Sequence, residues 1–354
     1  MPILCVDKPL GLTSHDVVAR VRRALGTRRV GHAGTLDPLA TGVLLVLVGE
    51  ATKLSDYLRG HDKRYLAWVS FGAGTDTLDA EGPVSARADA SGLTMAAVQH
   101  ALVPFLSLTS QRPPAYSAIK QGGERSYRAA RRGELVEPPA RPVAYREVCL
   151  LGFGPTRDSL APGRRAERGA ALARSHLKPQ AAAAAFEPLA GRSLELPPTL
   201  GDNPTALLDL TVAAGTYVRA LARDLGGALG LPAHLSGLVR TASGAVPLSR
   251  AARLEEVGSA EVVSPTLALD LPVVALSDAQ VEAVRHGKRL TMPLAARSVL
   301  VDEKGGLVAI AEPAGPEPAA DAADGVGTHL GAGDGTAAKE DPVIARMLRV
   351  FNPD

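Results

Sequence analysis

The spacing of apolar residues predicts a chain built from both helices and strands. In segment 14–25 apolar residues recur at helical spacing, and Ser14 stands where a helix cap is expected. The run 43–48 is continuously apolar, which predicts a strand buried on both faces. In segment 64–71 apolar side chains alternate, which predicts a second strand. Further helices are predicted at 93–106 and after a cap at Thr216, and further strands at 143–153 and 206–213.

The last part of the chain has a different pattern. After about residue 270, short apolar runs at 271–276, 299–301, 307–310 and 345–351 predict strands. A Gly/Ala/Asp-rich stretch, 313–341, separates the last strand from the others and is predicted to be a disordered loop. We therefore expect a main domain over 1–265 and a small β-rich domain over 270–354.

Two segments interrupt the main domain. Segment 112–142 is polar and basic and predicts a long loop with a short helix near 124–132. Segment 155–204 contains adjacent arginines, five consecutive alanines and many prolines, which is typical of a flexible, basic, low-complexity insertion.

Composition narrows the class of protein. Apolar residues make up 46% of the 354, enough for a sizeable core. Two cysteines cannot form a disulfide framework, and no Cys/His group has zinc spacing. The N-terminus lacks signal-peptide features, and no apolar run is long enough to span a membrane. We expect a soluble, cytoplasmic protein without membrane association.

The net charge of +2 hides an uneven distribution. Residues 1–150 carry 19 Lys/Arg and 14 Asp/Glu, whereas residues 301–354 carry 4 and 10. The chain as a whole is therefore not strongly cationic, but residues 1–150 are basic enough to bind an anionic partner. Aromatic residues are only 3%, which disfavours a broad stacking platform for bases.

The densest candidate for chemistry is segment 30–42, VGHAGTLDPLATG, just before the buried strand. Pro38 restricts the backbone after Asp37, so the carboxylate would stand on a stiff loop next to a sheet. A structural turn with an Asx-type cap explains the same residues. A phosphate-binding P-loop is excluded because no Gly-Lys-Ser/Thr opens a helix here, and a metal site at His32 and Asp37 lacks a third ligand.

Seven blocks in order resemble the bacterial TruB-type tRNA pseudouridine synthases. Together they cover about residues 3–250, apart from the insertion. The blocks are VDKPLGLTSHDVV (6–18), GHAGTLDPLATGVL (31–44), DKRYLA (62–67), GTDTLDAEG (74–82), PPAYSAIK (113–120), GTYVRALARDLG (215–226) and HLSGLVRTASG (234–244). The C-terminal part resembles, more weakly, the small PUA-like domain of that family.

The resemblance implies an α+β pseudouridine synthase fold with a central mixed, largely antiparallel sheet and a PUA-like C-terminal domain. It implies an enzyme that isomerises the uridine at position 55, in the T loop of tRNA, to pseudouridine. It further implies no cofactor, no metal and no obligate protein partner, so we expect a monomer whose partner is the T stem-loop.

The resemblance also assigns the catalytic residues. It places the nucleophile at Asp37 and the arginine that pairs with it at Arg219, whose charge would keep the carboxylate ionised in a dry site. Without the resemblance, Arg219 would be a solvent-exposed arginine on a helix face. Tyr65 would stack on the uracil and could accept the C5 proton. As part of an apolar strand face, Tyr65 is equally explained as a core tyrosine.

Other residues are assigned to the RNA. The flipped base would be lined by Tyr217 and Leu238, and His32 would take the space that the base vacates. Segment 112–142 resembles the loop that grips the T stem-loop, although a solvated basic face would have the same composition. Its candidate RNA contacts are Lys120, Arg125, Arg128, Arg131 and Arg132.

Two other functions stay open. The same basic loop and base pocket would serve a tRNA-binding and folding helper that acts on the T arm without catalysis. A related synthase that works inside a guide-RNA particle is a third possibility.

Overall fold

The structure is a computed structural model that describes residues 1–117, 120–121, 124–125, 138–160, 189, 192, 194–288, 290–314 and 344–351. It divides into two compact units, Met1–Ser264 and Pro265–Asp354. Each unit has its own sheet and its own core.

A mixed sheet organises the first unit and contains ten of its described strands. The main order is β11 (Tyr145–Gly154), β12 (Thr205–Val212), β4 (Lys63–Phe71), β13 (Ala233–Ser243), β3 (Ala40–Val48), β1 (Ile3–Lys8) and β15 (Ala252–Arg253). Three further strands pair with this row: β2 (Val30–Ala33) with β3, β14 (Val246–Pro247) with β13, and β16 (Val262–Val263) with β1. All pairs are antiparallel except β13–β3 and β1–β15, so the predicted mixed, largely antiparallel sheet is confirmed.

Three two-stranded sheets of the described residues lie outside this sheet. They are β5 (Ala73–Thr75) with β6 (Val84–Arg87), β7 (Ser110–Gln111) with β10 (Arg141–Pro142), and β8 (Lys120–Gln121) with β9 (Glu124–Arg125). The helix predicted near 124–132 is wrong at its start, where β9 lies, and its remainder falls outside the described residues. Most of the 112–142 segment beyond residue 117 is likewise outside them.

Four α-helices are described in the first unit: α1 (Ser14–Ala24), α2 (Ser55–Arg59), α3 (Met95–Leu102) and α4 (Val218–Ala228). The cap of α1 is Thr13, not Ser14, because Thr13 and Asp16 form a reciprocal capping box. Ser14 is buried and bonds to the chain at Leu36 instead. The predicted cap at Thr216 is also wrong, since Tyr217 occupies the N-cap of α4 without a side-chain bond of its own. The α3 helix is shorter than predicted and continues as a 3-10 turn over 103–107.

The first unit's core lies between the sheet and α1, α3 and α4. Strand β3 is buried along its whole length, as its apolar run predicts. Strand β4 is buried on both faces as well, with Tyr65 and Val69 on the helix-covered side. On the opposite side the Trp68 ring and Leu196 both lie over Gly237, whose missing side chain leaves them room.

Both flanks of the predicted 155–204 insertion pack on the first unit. Arg157, with only 7% of its side chain exposed, donates from Nη1 to the carbonyls of Pro197 and Ser236, the latter at 2.8 Å. Arg192 donates to the Asp7 carboxylate (2.6 Å) and to the Ala251 carbonyl (2.7 Å). These flanks therefore belong to the packed body, and the bulk of the stretch between 160 and 194 lies outside the described residues.

The second unit is β-rich, as predicted. Its five-stranded sheet has the order β17 (Val273–Ala275), β19 (Ser298–Val301), β20 (Leu307–Pro313), β21 (Ile344–Val350) and β18 (Leu290–Thr291). The helices α5 (Pro265–Leu269) and α6 (Asp278–Arg285) belong to the same unit. The predicted loop 313–341 lies outside the described residues from 315 onward.

The close approach of β3 and β13 yields a stability prediction. Gly42 has φ +97°, and a Cβ placed there would lie 2.3 Å from the Arg240 carbonyl oxygen across the strand pair. We expect Gly42→Ala to lower the free energy of unfolding by about 3 kcal/mol, because the strands must separate. Gly49→Ala is the control: its φ is +59° but nothing lies within 4 Å, so about 1 kcal/mol is expected. Urea unfolding of both variants measures this, and equal losses would contradict it.

Candidate active site

Asp37 lies on the loop between β2 and β3, and a buried lysine fixes the residue that follows it. Lys8 is fully buried, and its Nζ donates to the carbonyls of Leu12 (2.5 Å) and Pro38 (3.3 Å). The Gly11 N–H also donates to the Pro38 carbonyl, at 2.9 Å. Burial lowers the pKa of Lys8 to about 8, so the ammonium still carries most of its charge at neutral pH.

The backbone on either side of Asp37 is also held by hydrogen bonds from buried side chains. Ser14 Oγ accepts the Leu36 N–H at 2.9 Å and donates to the Leu36 carbonyl at 3.2 Å. Arg240, only 1% exposed, donates from Nε to the Val43 carbonyl (2.6 Å) and from Nη2 to the Gly34 carbonyl (3.1 Å). Side chains from β1, α1 and β13 therefore fix the backbone around Asp37.

Asp37 and Arg219 form a bidentate ion pair, a fork of two side-by-side hydrogen bonds. Arg219 Nε donates to Asp37 Oδ2 at 2.9 Å, and Nη2 donates to Oδ1 at 3.2 Å. Only 6% of the Arg219 side chain is exposed, against 35% for Asp37. The pair thus presents one carboxylate to solvent while the guanidinium behind it is buried. This fork is the strong geometry for an arginine–carboxylate pair.

Arg219 has three further polar partners among the described residues. Its Nη1 donates to the Thr77 carbonyl (3.0 Å), and its Nη2 donates to the Tyr116 carbonyl (2.9 Å). Its Nε also lies 3.6 Å from Asp79 Oδ2. Burial opposes the charge of Arg219, but Asp37 and Asp79 together raise its pKa, so the guanidinium stays protonated.

Asp79 is a site residue that the sequence does not reveal. It is buried, and its Oδ1 accepts the Thr77 hydroxyl (2.6 Å) and the Glu81 N–H (3.1 Å). Burial raises the pKa of Asp79, and the Arg219 charge opposes that rise. The residue between, Leu78, has φ +64°, a strained conformation for leucine that aims the Thr77 carbonyl and Asp79 at the same guanidinium. The only sequence signal is that Asp79 lies in the matched block 74–82.

The structure brings Tyr217 to this pair. Burial raises the pKa of the Tyr217 hydroxyl, and the negative charge of Asp37 adds to the rise, so the phenol is neutral. Leu238 lies on β13 opposite Ala40 of β3, three residues after Asp37. Tyr65 lies on β4 with 9% of its surface exposed and packs in the helix-covered core, as the core interpretation predicts.

His32 lies on β2, which leads into the loop. Its ring meets the His15 ring edge to face, with centroids 5.5 Å apart. Burial, with repulsion from His15 and Arg240, lowers the pKa of His32 to about 4. The imidazole is therefore neutral at physiological pH.

The predicted RNA contacts are only partly described. Lys120 on β8 pairs with Arg125 on β9, and nothing is described of their side chains. Arg128, Arg131 and Arg132 lie outside the described residues. Within the described ranges no cluster of three or more His, Cys, Asp or Glu could hold a metal ion. Among the described helices none is long and apolar enough to cross a membrane.

Sequence comparisons identify relatives of this chain. The model for the TruB family pseudouridylate synthase N-terminal domain matches residues 22–161. A tRNA pseudouridine synthase B of Thermus thermophilus is 49% identical over 314 residues, covering 88% of this chain and 95% of the relative. The tRNA pseudouridine synthase B of Deinococcus radiodurans is 45% identical over 336 residues, covering 93% and 98%.

Comparison with solved structures identifies chains with a similar fold. The Cbf5–Nop10–Gar1 complex contains a chain with TM-score 0.57 at 22% identity, and the archaeal box H/ACA sRNP Nop10–Cbf5 complex one with TM-score 0.55 at 21%. In both cases the match covers 88% of this chain and 78% of the solved chain. At this identity the likeness is one of fold.

The depressed pKa of His32 predicts a loss of stability in acid. An unfolded histidine binds its proton near pH 6.5, whereas folded His32 does so only near pH 4. Between these values the unfolded chain holds more protons, so stability falls as pH drops from about 6.5 to about 4. We expect His32→Gln to flatten this part of the pH dependence, measured by urea unfolding at several pH values. An unchanged slope, or a His32 NMR titration midpoint near 6.5, would contradict the assignment.

Proposed function

The chain belongs to the TruB family of pseudouridylate synthases, and from this premise we propose that it is a tRNA-modifying isomerase that converts a T-loop uridine to pseudouridine. The observation that carries the proposal is the fork between partly exposed Asp37, on its braced loop, and buried Arg219 on α4. The close similarity to two enzymes named tRNA pseudouridine synthase B, over nearly their full length, supports the substrate.

The reaction is balanced within the uridine itself. The bond from N1 to C1′ breaks, the uracil rotates, and a bond from C5 to C1′ forms. The C5 proton leaves and N1 gains a proton, so neither an oxidant nor a second substrate enters. The protein must therefore supply a nucleophile, hold the detached base, and move one proton.

We assign the nucleophilic role to Asp37. An ionised carboxylate at an accessible position can attack the sugar or the base, or abstract a sugar proton. Arg219 supports this role because its two donors hold both carboxylate oxygens of Asp37 in place. Asp79 Oδ2 lies 3.6 Å from the same Nε of Arg219, and we propose that this carboxylate helps to hold the guanidinium.

The detached base needs an apolar pocket and a ring. A uridine inside a folded loop must be flipped out before its glycosidic bond can be reached. We propose that Tyr65 stacks on the uracil, that Leu238 and Tyr217 line the pocket, and that neutral His32 fills the space left in the RNA. Tyr65 packs in the core, which would hold its ring in place, and we propose that its hydroxyl faces the cleft.

The remaining assignments concern RNA binding as a whole. We propose that segment 112–142 grips the T stem-loop, that the second unit is a PUA-like domain, and that the protein acts as a cytoplasmic monomer. The basic candidates are those predicted above, Lys120, Arg125, Arg128, Arg131 and Arg132. Contacts of this kind bind phosphates and position the RNA rather than read its sequence.

The catalytic proposal is tested by replacing the nucleophile. We expect Asp37→Asn to reduce pseudouridine formation by at least about 10⁴-fold while tRNA binding persists, because asparagine keeps the shape of the side chain but lacks the nucleophilic carboxylate. The measurement is tritium release from tRNA labelled at uridine C5, with a T-loop substrate carrying cytidine at the target as a blank. Asp62→Asn, which removes only a surface pair with Arg146, is the matched control and should retain turnover. Wild-type protein that binds and refolds the T arm without releasing tritium would favour the tRNA-folding helper instead.

The gripping role predicts a change in salt dependence. Replacing Arg128, Arg131 and Arg132 with alanine should reduce the slope of log Kd against log salt by about one unit for each phosphate that the variant no longer binds. Arg250→Ala, which removes an exposed arginine paired with Glu261, is the control and should leave the slope unchanged. Filter binding of tRNA over a salt series measures both. Identical slopes in all proteins would refute the gripping role.

A further inference from the structure

Gln111 is a buried amide at the point where segment 112–142 begins. It ends β7, and only 3% of its surface is exposed. Its Oε1 accepts the Tyr217 N–H at 3.1 Å. Its Nε2 donates to the Tyr145 hydroxyl at 2.8 Å and lies 3.4 Å from Asp224 Oδ2. One side chain thus joins β7, β11 and the helix that carries Arg219.

These contacts fix the start of α4. Tyr217 is the N-cap of that helix, and its side chain caps none of the helix N–H groups. Its own N–H donates to Gln111 Oε1, a side chain from another element. Asp224 lies about two turns further along the same helix. Holding a helix at its N-cap and again two turns later restricts both its position along its axis and its rotation about it. Arg219 projects from the first turn, between these two points.

The chain that follows Gln111 is tied to the same helix. Arg223 Nη2 donates to the Arg112 carbonyl at 2.8 Å, and Arg219 Nη2 donates to the Tyr116 carbonyl at 2.9 Å. Segment 111–117 is therefore bonded to α4 at several points, and Gln111 is the buried end of their contact.

We propose that Gln111 is a positioning residue that acts through α4 to aim Arg219 at Asp37. The inference rests on the proposed function, because the fork has a catalytic purpose only if Asp37 is the nucleophile. An amide suits the position because one end accepts and the other donates. A carboxylate would face the Asp224 carboxylate, and an apolar side chain would leave the Tyr217 N–H and the Tyr145 hydroxyl without their buried partner.

The first test is Gln111→Met, which keeps the size but removes all three side-chain hydrogen bonds. With saturating tRNA we expect kcat to fall by about 10- to 100-fold, since a displacement on the order of 1 Å at a catalytic group has this effect. The KM for tRNA should change by less than about 3-fold, because the helix positions chemistry rather than binding RNA. Ser236→Ala is the matched control: it removes another buried hydroxyl network of the first unit, with Ser70 and the Trp68 carbonyl, and should leave kcat unchanged.

A double-mutant cycle separates positioning from general destabilisation. If Gln111 acts through Arg219, Gln111→Met should cost little further activity in an Arg219→Lys background, where the fork is already broken. Multiplicative losses would show that the two residues act independently and would overturn the proposal.

A swap of hydrogen-bonding groups supplies the rescue. Gln111→Glu alone should be impaired, because it places two carboxylates together. Gln111→Glu combined with Asp224→Asn restores one acceptor and one donor in reversed order, and should recover kcat to within about 5-fold of wild type. This pair decides the question even if Gln111→Met does not fold. A wild-type kcat in Gln111→Met, a pure KM effect, or no recovery in the swap would each overturn the inference. Absence of tritium release from the wild-type protein would instead count against the proposed function.

Discussion

The buried charge of Arg219 is the constraint on which the rest of the site depends. A guanidinium taken out of water needs partners on every side, and removing one partner of such a buried pair costs about 3–5 kcal/mol. Here the partners come from distant parts of the chain: Asp37 before β3, the strained turn at Thr77–Asp79, and the carbonyl of Tyr116. Folding must therefore assemble the site in order to satisfy the charge, and the charge in turn fixes the carboxylate that substrate can reach.

The loop that carries Asp37 shows a similar use of buried cations. Lys8 and Arg240 would normally lie at the surface, yet both are buried with their donors on loop carbonyls. Their role is to replace the regular hydrogen bonds that the backbone gives up where it leaves the sheet.

The sequence predicts the parts of the fold that depend on apolar patterns. Strand β3 is a continuous apolar run, and the short strands of the second unit stand out in the same way. The pattern does not predict β13 because His234, Ser236 and Arg240 make it look polar, whereas each is buried with a hydrogen-bond partner. The predicted cap lies one residue late at α1, because Ser14 is as good a cap residue as Thr13. It lies one residue early at α4, because the N-cap of that helix is Tyr217, whose side chain makes no cap bond, although Thr216 is the better cap residue.

The residues of the candidate site likewise differ in whether a local sequence pattern indicates them. Asp37 stands out locally through Pro38 and the surrounding glycines, but helical spacing would place Arg219 in solvent, and only the family resemblance pairs the two. Asp79 and Gln111 carry no local signal, because their importance comes from tertiary contacts more than one hundred residues away in sequence.

The hydrogen bond from Arg157 to the Pro197 carbonyl has a practical consequence for the chain between them. It holds Arg157 beside Pro197 on the body of the protein, and Arg192, which lies between them in sequence, is bonded there as well. Because the entropy of closing a loop grows only with the logarithm of its length, each doubling adds about 0.6 kcal/mol. A change of length between residues 160 and 189 is therefore expected to cost little stability, which makes this the natural place to insert a fluorescent protein or an affinity tag.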